Sequence, residues 1–403
     1  MSEESSELKR IAYMSIMLFG FISLFGDIIY EGARGIISPY LEFLGATALI
    51  VGVVGGFGEF VGYGLRLASG YIADAKRTYW PFVFLGYGLL ISIPLLAFAG
   101  YFPIMGVPWL LAALLVIVER IAKALRSPAR DTLLSVTTKG VGTGKAFGFH
   151  ELMDQLGAVI GPILVASVLY LTDNNYFYAF LTLFGPYLAL VLIIFLAYPR
   201  LKPYTDKALA SFRREKEQKL GSKFTSEFKT YTFAVFLNTA GLIHVLLILY
   251  VASLVFEEKA WIVALLYLVL QGVDAVAAPI SGHMYDKIGR KFLLAPFILS
   301  VLPTIFIVMR NSFGVILSVI SFGIVLGMQE SIYRSAVADL TPLEVRGTAY
   351  GIFNTVYGLG FLLSGTIFGV FLDYNLLSQA VIFSVLIQIL AIMSLLYSIK
   401  PQT

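Results

Sequence analysis

The chain has 403 residues, 58% of them hydrophobic and only 13% charged, against roughly a quarter charged in ordinary soluble domains. That balance excludes a large soluble domain and leaves room for about a dozen membrane spans of some 20 residues each. With no cysteine, disulfides, thiolate metal sites and cysteine nucleophiles are excluded as well, and the net charge of +4 is informative only through its distribution.

Apolar segments fall near 12–40, 47–73, 79–100, 107–130, 144–171, 174–198, 230–256, 260–285, 290–309, 313–338, 345–372 and 375–398. They predict an all-α membrane protein with twelve transmembrane helices. The first segment follows an acidic, Ser-rich start and outruns a signal-peptide core, so it reads as a retained helix. With the N-terminus in the cytoplasm, the outer loops hold only Lys259 and Arg310 as bases, while Lys9, Arg10, Lys76, Arg77, Lys139, Lys145, Lys287, Arg290, Lys291, Arg346 and Lys400 fall inside. This bias predicts an integral protein of the cytoplasmic (inner) membrane with both termini cytoplasmic.

The one long polar stretch, Pro199 to Thr230, lies near mid-chain. It predicts a cytoplasmic linker over 199–229 between an N-terminal six-helix half, 1–198, and a C-terminal one, 230–403. Its Leu209 and Phe212, set among bases, fit either a helix at the anionic inner surface or a solvated charge run. Internal comparison supports the division. Gly70-x-x-x-Asp74 closes the second helix and Gly282-His-Met-Tyr-Asp286 closes the eighth, 212 positions later. In the fifth and eleventh helices Gly144-Lys-Ala-Phe-Gly148 answers Gly347-Thr-Ala-Tyr-Gly351 at a shift of 203, which also pairs Gly157 with Gly360.

The stretch Gly282-His-Met-Tyr-Asp-Lys-Ile-Gly-Arg-Lys291 resembles the loop motif of the major facilitator superfamily, Gly-x-x-x-Asp-Arg/Lys-x-Gly-Arg-Arg/Lys, and the likeness extends over essentially the whole chain. It implies two pseudo-symmetric six-helix halves around a central cavity. It also implies that Gly282, Asp286, Gly289, Arg290 and Lys291 form a latch that holds cytoplasmic helix ends and releases them as the halves rock. The N-terminal copy keeps Gly70 and Asp74 but continues Ala75-Lys-Arg-Thr78, without the motif's glycine and final bases. Arg120 in the fourth helix matches an arginine that the superfamily often uses in proton coupling, with Lys123 standing where Gln is common. Gly157-Ala-Val-Ile-Gly161-Pro162 resembles an element of antiporters. Glycines at that spacing equally allow plain close packing, and Pro162 permits a bend. Lys145-Ala-Phe-Gly-Phe-His-Glu-Leu-Met-Asp154 with Arg130-Asp131 resembles a prokaryotic subgroup of exporters, which names no substrate.

The first helix places Asp27, Glu31 and Arg34 inside an apolar run, on one face by steps of four and three. Ionisable groups at such depth cost at least a few kcal/mol, so they pair or line a polar path. Both readings are open: an ion pair of Asp27 or Glu31 with Arg34, or a face turned to the cavity. Across the N-terminal half, Asp27, Glu31, Glu59, Glu119 and Asp154 outnumber Arg34, Arg66, Arg120 and Lys123. A carboxylate left without a base could exchange a proton, and Asp27 and Glu31 lead because the resembling family lines its cavity with this helix. His150, one turn before Asp154, either shares its proton or is satisfied locally. The C-terminal half offers only Asp274 and Glu330/Arg334, the latter spaced as a structural i,i+4 pair.

These residues and the resemblance together predict a proton-coupled secondary transporter that exports a small solute by alternating access, best an amphiphilic or cationic drug-like compound. Asp27, Glu31, Glu59, Glu119, Arg120 and Asp154 are expected to serve proton coupling. Tyr30, Arg34, Lys123, Asn238, Tyr267, Asn354 and Tyr357 are expected to line the substrate cavity. Gly70, Asp74, Gly157, Gly161 and Pro162 join the latch residues as conformational elements. A divalent metal, an organic anion or a lipid is the alternative cargo on the same fold. No complete catalytic constellation, phosphate loop or histidine metal site is present in the sequence, so no enzyme activity, cofactor, resident metal or nucleic-acid partner is expected. The expected partners are the solute, protons and membrane lipids, with the chain acting as a monomer.

Overall fold

The computed structural model describes residues 3–138, 143–211, 224–257, 259–342 and 345–399. Among them the regular structure is helical, apart from an isolated bridge between Ile104 and Val107. The rods, first to twelfth, are Glu3–Phe43; Ala48–Lys76; Trp80–Leu89 with Ser92–Ala99; Pro108–Thr137; Thr143–Leu171; Tyr176–Thr182 with Phe184–Ser211; Ser226–Gly241 with Val245–Val255; Ala260–Ile288; Leu294–Leu299 with Leu302–Ile307; Ser312–Met328 with Arg334–Leu340; Arg346–Asp373; and Leu377–Ile399.

Among the described residues, ten stretches are long and apolar enough to cross a membrane. One of them, Ala260–Ile307, has 48 residues, about 72 Å as a single helix against a hydrocarbon core of about 30 Å, so it must hold two spans. The break falls at Gly289, whose φ of 72° and ψ of −158° lie where only glycine is comfortable. The loop motif's glycine is therefore a backbone requirement. Pro108–Thr137 is missing from the ten although it has 30 residues, because Glu119, Arg120, Lys123, Arg126, Arg130 and Asp131 leave no span-length stretch of it with fewer than three charges. Burying Glu119, Arg120 and Arg126 inside the bundle is what makes that helix tolerable in a membrane.

The sixth helix runs through Pro199 and Pro203 to Ser211, beyond the expected start of the linker at 199. Trp80 Nε1 donates to Thr205 Oγ1 at 3.1 Å, and Tyr198 packs edge-on to the Trp80 ring, which ties this extension to the third helix. Phe212 and residues up to 223 lie outside the described residues, as do Lys139 and Lys400.

Within each half, helices cross too closely for side chains. A Cβ on Gly157 would lie 2.7 Å from the Leu24 carbonyl oxygen of the first helix, and one on Gly360 would lie 2.9 Å from that of Phe236 in the seventh. Residues 24 and 236 differ by the same 212 positions as the two Gly-x-x-x-Asp segments. One crossing thus recurs in both halves, which is the repeat expressed in space. Between the halves, a Cβ on Gly52 of the second helix would fall 2.0 Å from the Gly365 oxygen of the eleventh. At that end the Asp373 carboxylate accepts from the Ala48 and Leu49 N–H groups at 2.8 and 3.1 Å, standing in for the missing Thr47 side-chain cap. Nearby, Asn174 Oδ1 accepts from the Trp261 N–H, and the Tyr170 and Trp261 rings meet edge to face.

Candidate functional site

A cavity of about 540 Å³ lies between the halves. Its lining residues Glu151, Gln155, Pro279, Glu330 and Arg334 are exposed, which puts its outlet at the end opposite the Gly52/Gly365 crossing. Asp27, Tyr30, Glu31 and Arg34 all line it, so the one charged face that the spacing gives the first helix turns to the cavity.

The pairing differs from the simplest expectation. Arg34 is not bound to Asp27 or Glu31; its Nη2 lies 2.6 Å from Glu59 Oε1 of the second helix, and Arg120 Nη2 lies 3.2 Å from the same oxygen. Both guanidinium groups also donate to the Tyr30 hydroxyl. One carboxylate from a neighbouring helix thus satisfies two arginines, which a carboxylate one turn away on the same helix could not reach together. Glu31 instead accepts a hydrogen bond from the Tyr267 hydroxyl of the eighth helix, across the two halves. Gly35, one turn along, admits that ring: a Cβ there would sit 2.9 Å from Tyr267 Cβ. The Lys123 ammonium lies 3.9 Å from the centroid of the Tyr30 ring. Among the described residues, Asp27 and Lys123 enter no ion pair.

Three expected site residues stand elsewhere. Glu119 is 1% exposed and does not line the cavity. Its oxygens face Arg120 at 3.6 Å and Arg126 at 3.7 Å, so it braces the fourth helix. Asn238 is buried in a polar knot rather than turned to the cavity. Its Oδ1 accepts from Gln329 and Tyr333 at 3.0 and 2.7 Å, and its Nδ2 donates to Ser300 and Gln388 at 3.0 and 2.9 Å. A buried amide must fill its hydrogen-bonding capacity, and the neighbouring helices fill all of it. Asn354 also lies off the cavity lining. Tyr267 and Tyr357 do line it, Tyr357 joining the knot by donating to Gln329 Oε1 at 2.8 Å.

Asp154 lies at the cavity edge, accepts from the Ser23 hydroxyl, and has His150 Nδ1 at 3.3 Å. Arg130 donates to Ser23 at 3.2 Å and pairs with Asp131 at 2.9 Å. His244 lines the cavity and accepts from the Leu246 N–H, capping the second segment of the broken seventh helix. Sequence reasoning passed over Asp274, Glu330 and Arg334 as cavity residues. Their signal was present, since lone charges in apolar helices demand a polar surrounding, but the i,i+4 spacing of Glu330 and Arg334 suggested a closed pair. The helix makes a π turn over Gln329–Tyr333. That turn shifts the register, so the two side chains no longer stack, and no ion pair joins them among the described residues.

At the loop motif, Asp286 is exposed. The carboxylate that is held there is Asp339 at the end of the tenth helix: it accepts from the Tyr285 hydroxyl at 2.8 Å, and Arg290 Nη2 donates to its backbone oxygen at 3.1 Å. In the other copy Asp74 accepts from the Tyr79 hydroxyl at 2.9 Å. The motif glycines take equivalent places, Gly282 against Ser331 of the tenth helix and Gly70 against Pro128 of the fourth.

The sequence model of the Major Facilitator Superfamily matches residues 88–365. An uncharacterized protein of Mycobacterium tuberculosis is 37% identical over 373 residues, covering 91% of this chain and 88% of that one. An uncharacterized MFS-type transporter of Methanocaldococcus jannaschii is 27% identical, covering 91% and 90%. Among solved structures, the nucleoside transporter NupG superposes with a TM-score of 0.67 at 15% identity, over 96% of this chain and 100% of that one. A peptide transporter POT in complex with sulfate gives 0.64 at 15% identity, over 96% and 98%. The family match over most of the chain, the relatives of nearly equal length and the twofold-repeated bundle around a charged cavity agree: this chain belongs to the major facilitator superfamily, as an integral membrane protein of the transport type.

Proposed function

We propose that the chain is a proton-coupled secondary transporter that moves a small, strongly polar, cationic solute through the central cavity by alternating access. The observation that carries this reading is the cavity wall. Asp27, Glu31, Glu59, Glu151, Asp154, Asp274 and Glu330 face Arg34, Arg66, Arg120, Lys123 and Arg334, so carboxylates are in surplus. A surplus of carboxylates favours cations and lets protons and cargo compete for the same groups, which is the elementary requirement for exchange of one for the other. The charged wall suits a hydrophilic cation better than the amphiphilic drug-like compound that aromatic walls would favour. An organic anion is the second reading, supported by Lys123, whose ammonium enters no ion pair among the described residues.

In this reading residues 1–198 and 230–403 are the rocking halves, 199–229 joins them in the cytoplasm, and the Gly52/Gly365 crossing closes the outer side of an inward-open state. The positive bias of the loops supports cytoplasmic termini and an inner-membrane location. Asp27 and Glu31 are the proton carriers: Asp27 has no base bound to it, and Glu31 holds a bond between the halves that protonation would weaken. The test uses proteoliposomes with a trapped pH dye and a panel of hydrophilic amines, guanidines, quaternary ammonium salts and carboxylates. Cations should elicit proton movement that Asp27→Asn or Glu31→Gln abolishes. Solute flux that ignores the pH gradient and survives both substitutions refutes the coupling.

A further inference from the structure

The C-terminal wall of the cavity carries two carboxylates, Asp274 and Glu330, that enter no ion pair among the described residues. Asp274 is 8% exposed and lines the cavity, and its Oδ1 is buried without a hydrogen-bond partner. A buried carboxylate oxygen without a donor is costly, and a donor brought by a ligand removes that cost. The position of Asp274 is fixed by close packing: a Cβ on Gly327 of the tenth helix would lie 2.6 Å from the Asp274 backbone oxygen. Glu330 reaches the cavity from the π turn that separates it from Arg334. Glu330, Glu31, Glu151 and Arg34 share the cavity lining with Asp274. The first three are acids, and Arg34 is engaged by Glu59 on the opposite wall.

We propose that Asp274 and Glu330 form a cation subsite that binds a protonated amine or guanidinium nitrogen of the transported solute. This rests on the reading of the cavity as the transport site. An N–H donor satisfies Asp274 Oδ1 through a charge-assisted bond while the second carboxylate balances the charge. A nitrogen cation fits better than a metal ion, because a hard metal demands many oxygen ligands and no group of three candidate ligands gathers among the described residues. The subsite lies on the opposite half from Asp27, so cargo and proton would be read by different halves.

The chain contains no cysteine, so Ala278→Cys, one turn beyond Asp274 on the cavity lining, installs a single thiol. Its reaction with a membrane-impermeant maleimide is followed at fixed pH, with n-butylammonium, butylguanidinium, butyrate and n-butanol as protectants. The two cations should slow labelling and the others should not. Adding Asp274→Asn or Glu330→Gln should raise the half-protecting cation concentration about tenfold, the loss expected when one partner of a charged contact is removed. Thermal unfolding of each variant checks that it is folded. Protection by butyrate alone, equal cation protection in the variants, or no cation protection at any soluble concentration overturns the subsite. In each of those cases rapid labelling of the unprotected thiol leaves the open cavity standing. A thiol that does not react at all removes both.

Discussion

Glu59 is the residue on which the cavity's charge balance turns, and Glu59→Gln tests it. Its Oε1 serves Arg34 at 2.6 Å and Arg120 at 3.2 Å, with side-chain exposures of 12% for Glu59, 19% for Arg34 and 6% for Arg120. Gln keeps the shape but leaves two guanidinium groups facing one neutral amide. Removing one partner of a fully buried pair costs about 3–5 kcal/mol, and solvent in the cavity reduces this to about 2–3 kcal/mol here. Thermal unfolding of the purified protein in detergent should therefore show a fall of several degrees. Arg34→Gln should cost less, because Glu59 keeps Arg120. The double variant Glu59→Gln/Arg34→Gln removes one of the stranded cations and should recover about 1 kcal/mol relative to the sum of the single losses. A Glu59→Gln protein that unfolds with the parent, or single losses that simply add, refutes the shared-carboxylate account.

Three further outcomes follow from individual contacts. Gly365→Ala puts a methyl 2.0 Å from the Gly52 oxygen; the second and eleventh helices must part, at a cost of about 1–3 kcal/mol, and amide exchange at Ala48 and Leu49 should accelerate as the Asp373 cap loosens. Asn238→Leu strands Gln329, Tyr333, Ser300 and Gln388, so stability should fall by about 3 kcal/mol or more in thermal unfolding, with no direct effect on any cavity-lining group. Tyr267→Phe deletes the phenol that holds Glu31 and should cost about 1.5–3 kcal/mol, the range for a hydrogen bond to a charged group. Combined with Glu31→Gln it should cost little more than either change alone; full additivity would mean that the two side chains do not act as a pair.

Much of the fold is written locally. Hydropathy runs mark the helices, the Gly-x-x-x-Asp segments mark the repeat, and the 203 shift that pairs Gly157 with Gly360 marks a crossing found in both halves. The face of Asp27, Glu31 and Arg34 was legible for the same reason, since helical phase alone puts the three side chains together. Pairing is not local. That Arg34 would choose Glu59 over Glu31 depends on how the second helix approaches the first, and nothing in the spacing of either helix encodes that distance. Asn238 illustrates the opposite error: a polar residue in an apolar helix looks the same whether it faces a cavity or three neighbouring helices. The loop motif shows a third kind of gap. Its Arg290 and Asp286 were expected to hold neighbouring helix ends, but which end is not written there: the tenth helix brings the Asp339 backbone oxygen to Arg290, and a contact between distant chain segments leaves no trace in the motif.

The count of charges and the pairing of charges point to different halves. By count, the N-terminal half dominates the cavity's charge. By pairing, much of that charge is already committed: Glu59 to two arginines, Glu31 to Tyr267, Asp154 to Ser23 and His150. Asp274 and Glu330 are fewer but uncommitted, and the π turn over Gln329–Tyr333 is the local feature that keeps Glu330 so. Restoring an ordinary α-helical register there would bring Arg334 back over Glu330 and close the pair. Deleting one residue within the turn should therefore leave the N-terminal network intact while abolishing cation protection of the thiol introduced by Ala278→Cys. Protection that survives the deletion would show that the wall's charge, and not the turn that frees it, selects the solute.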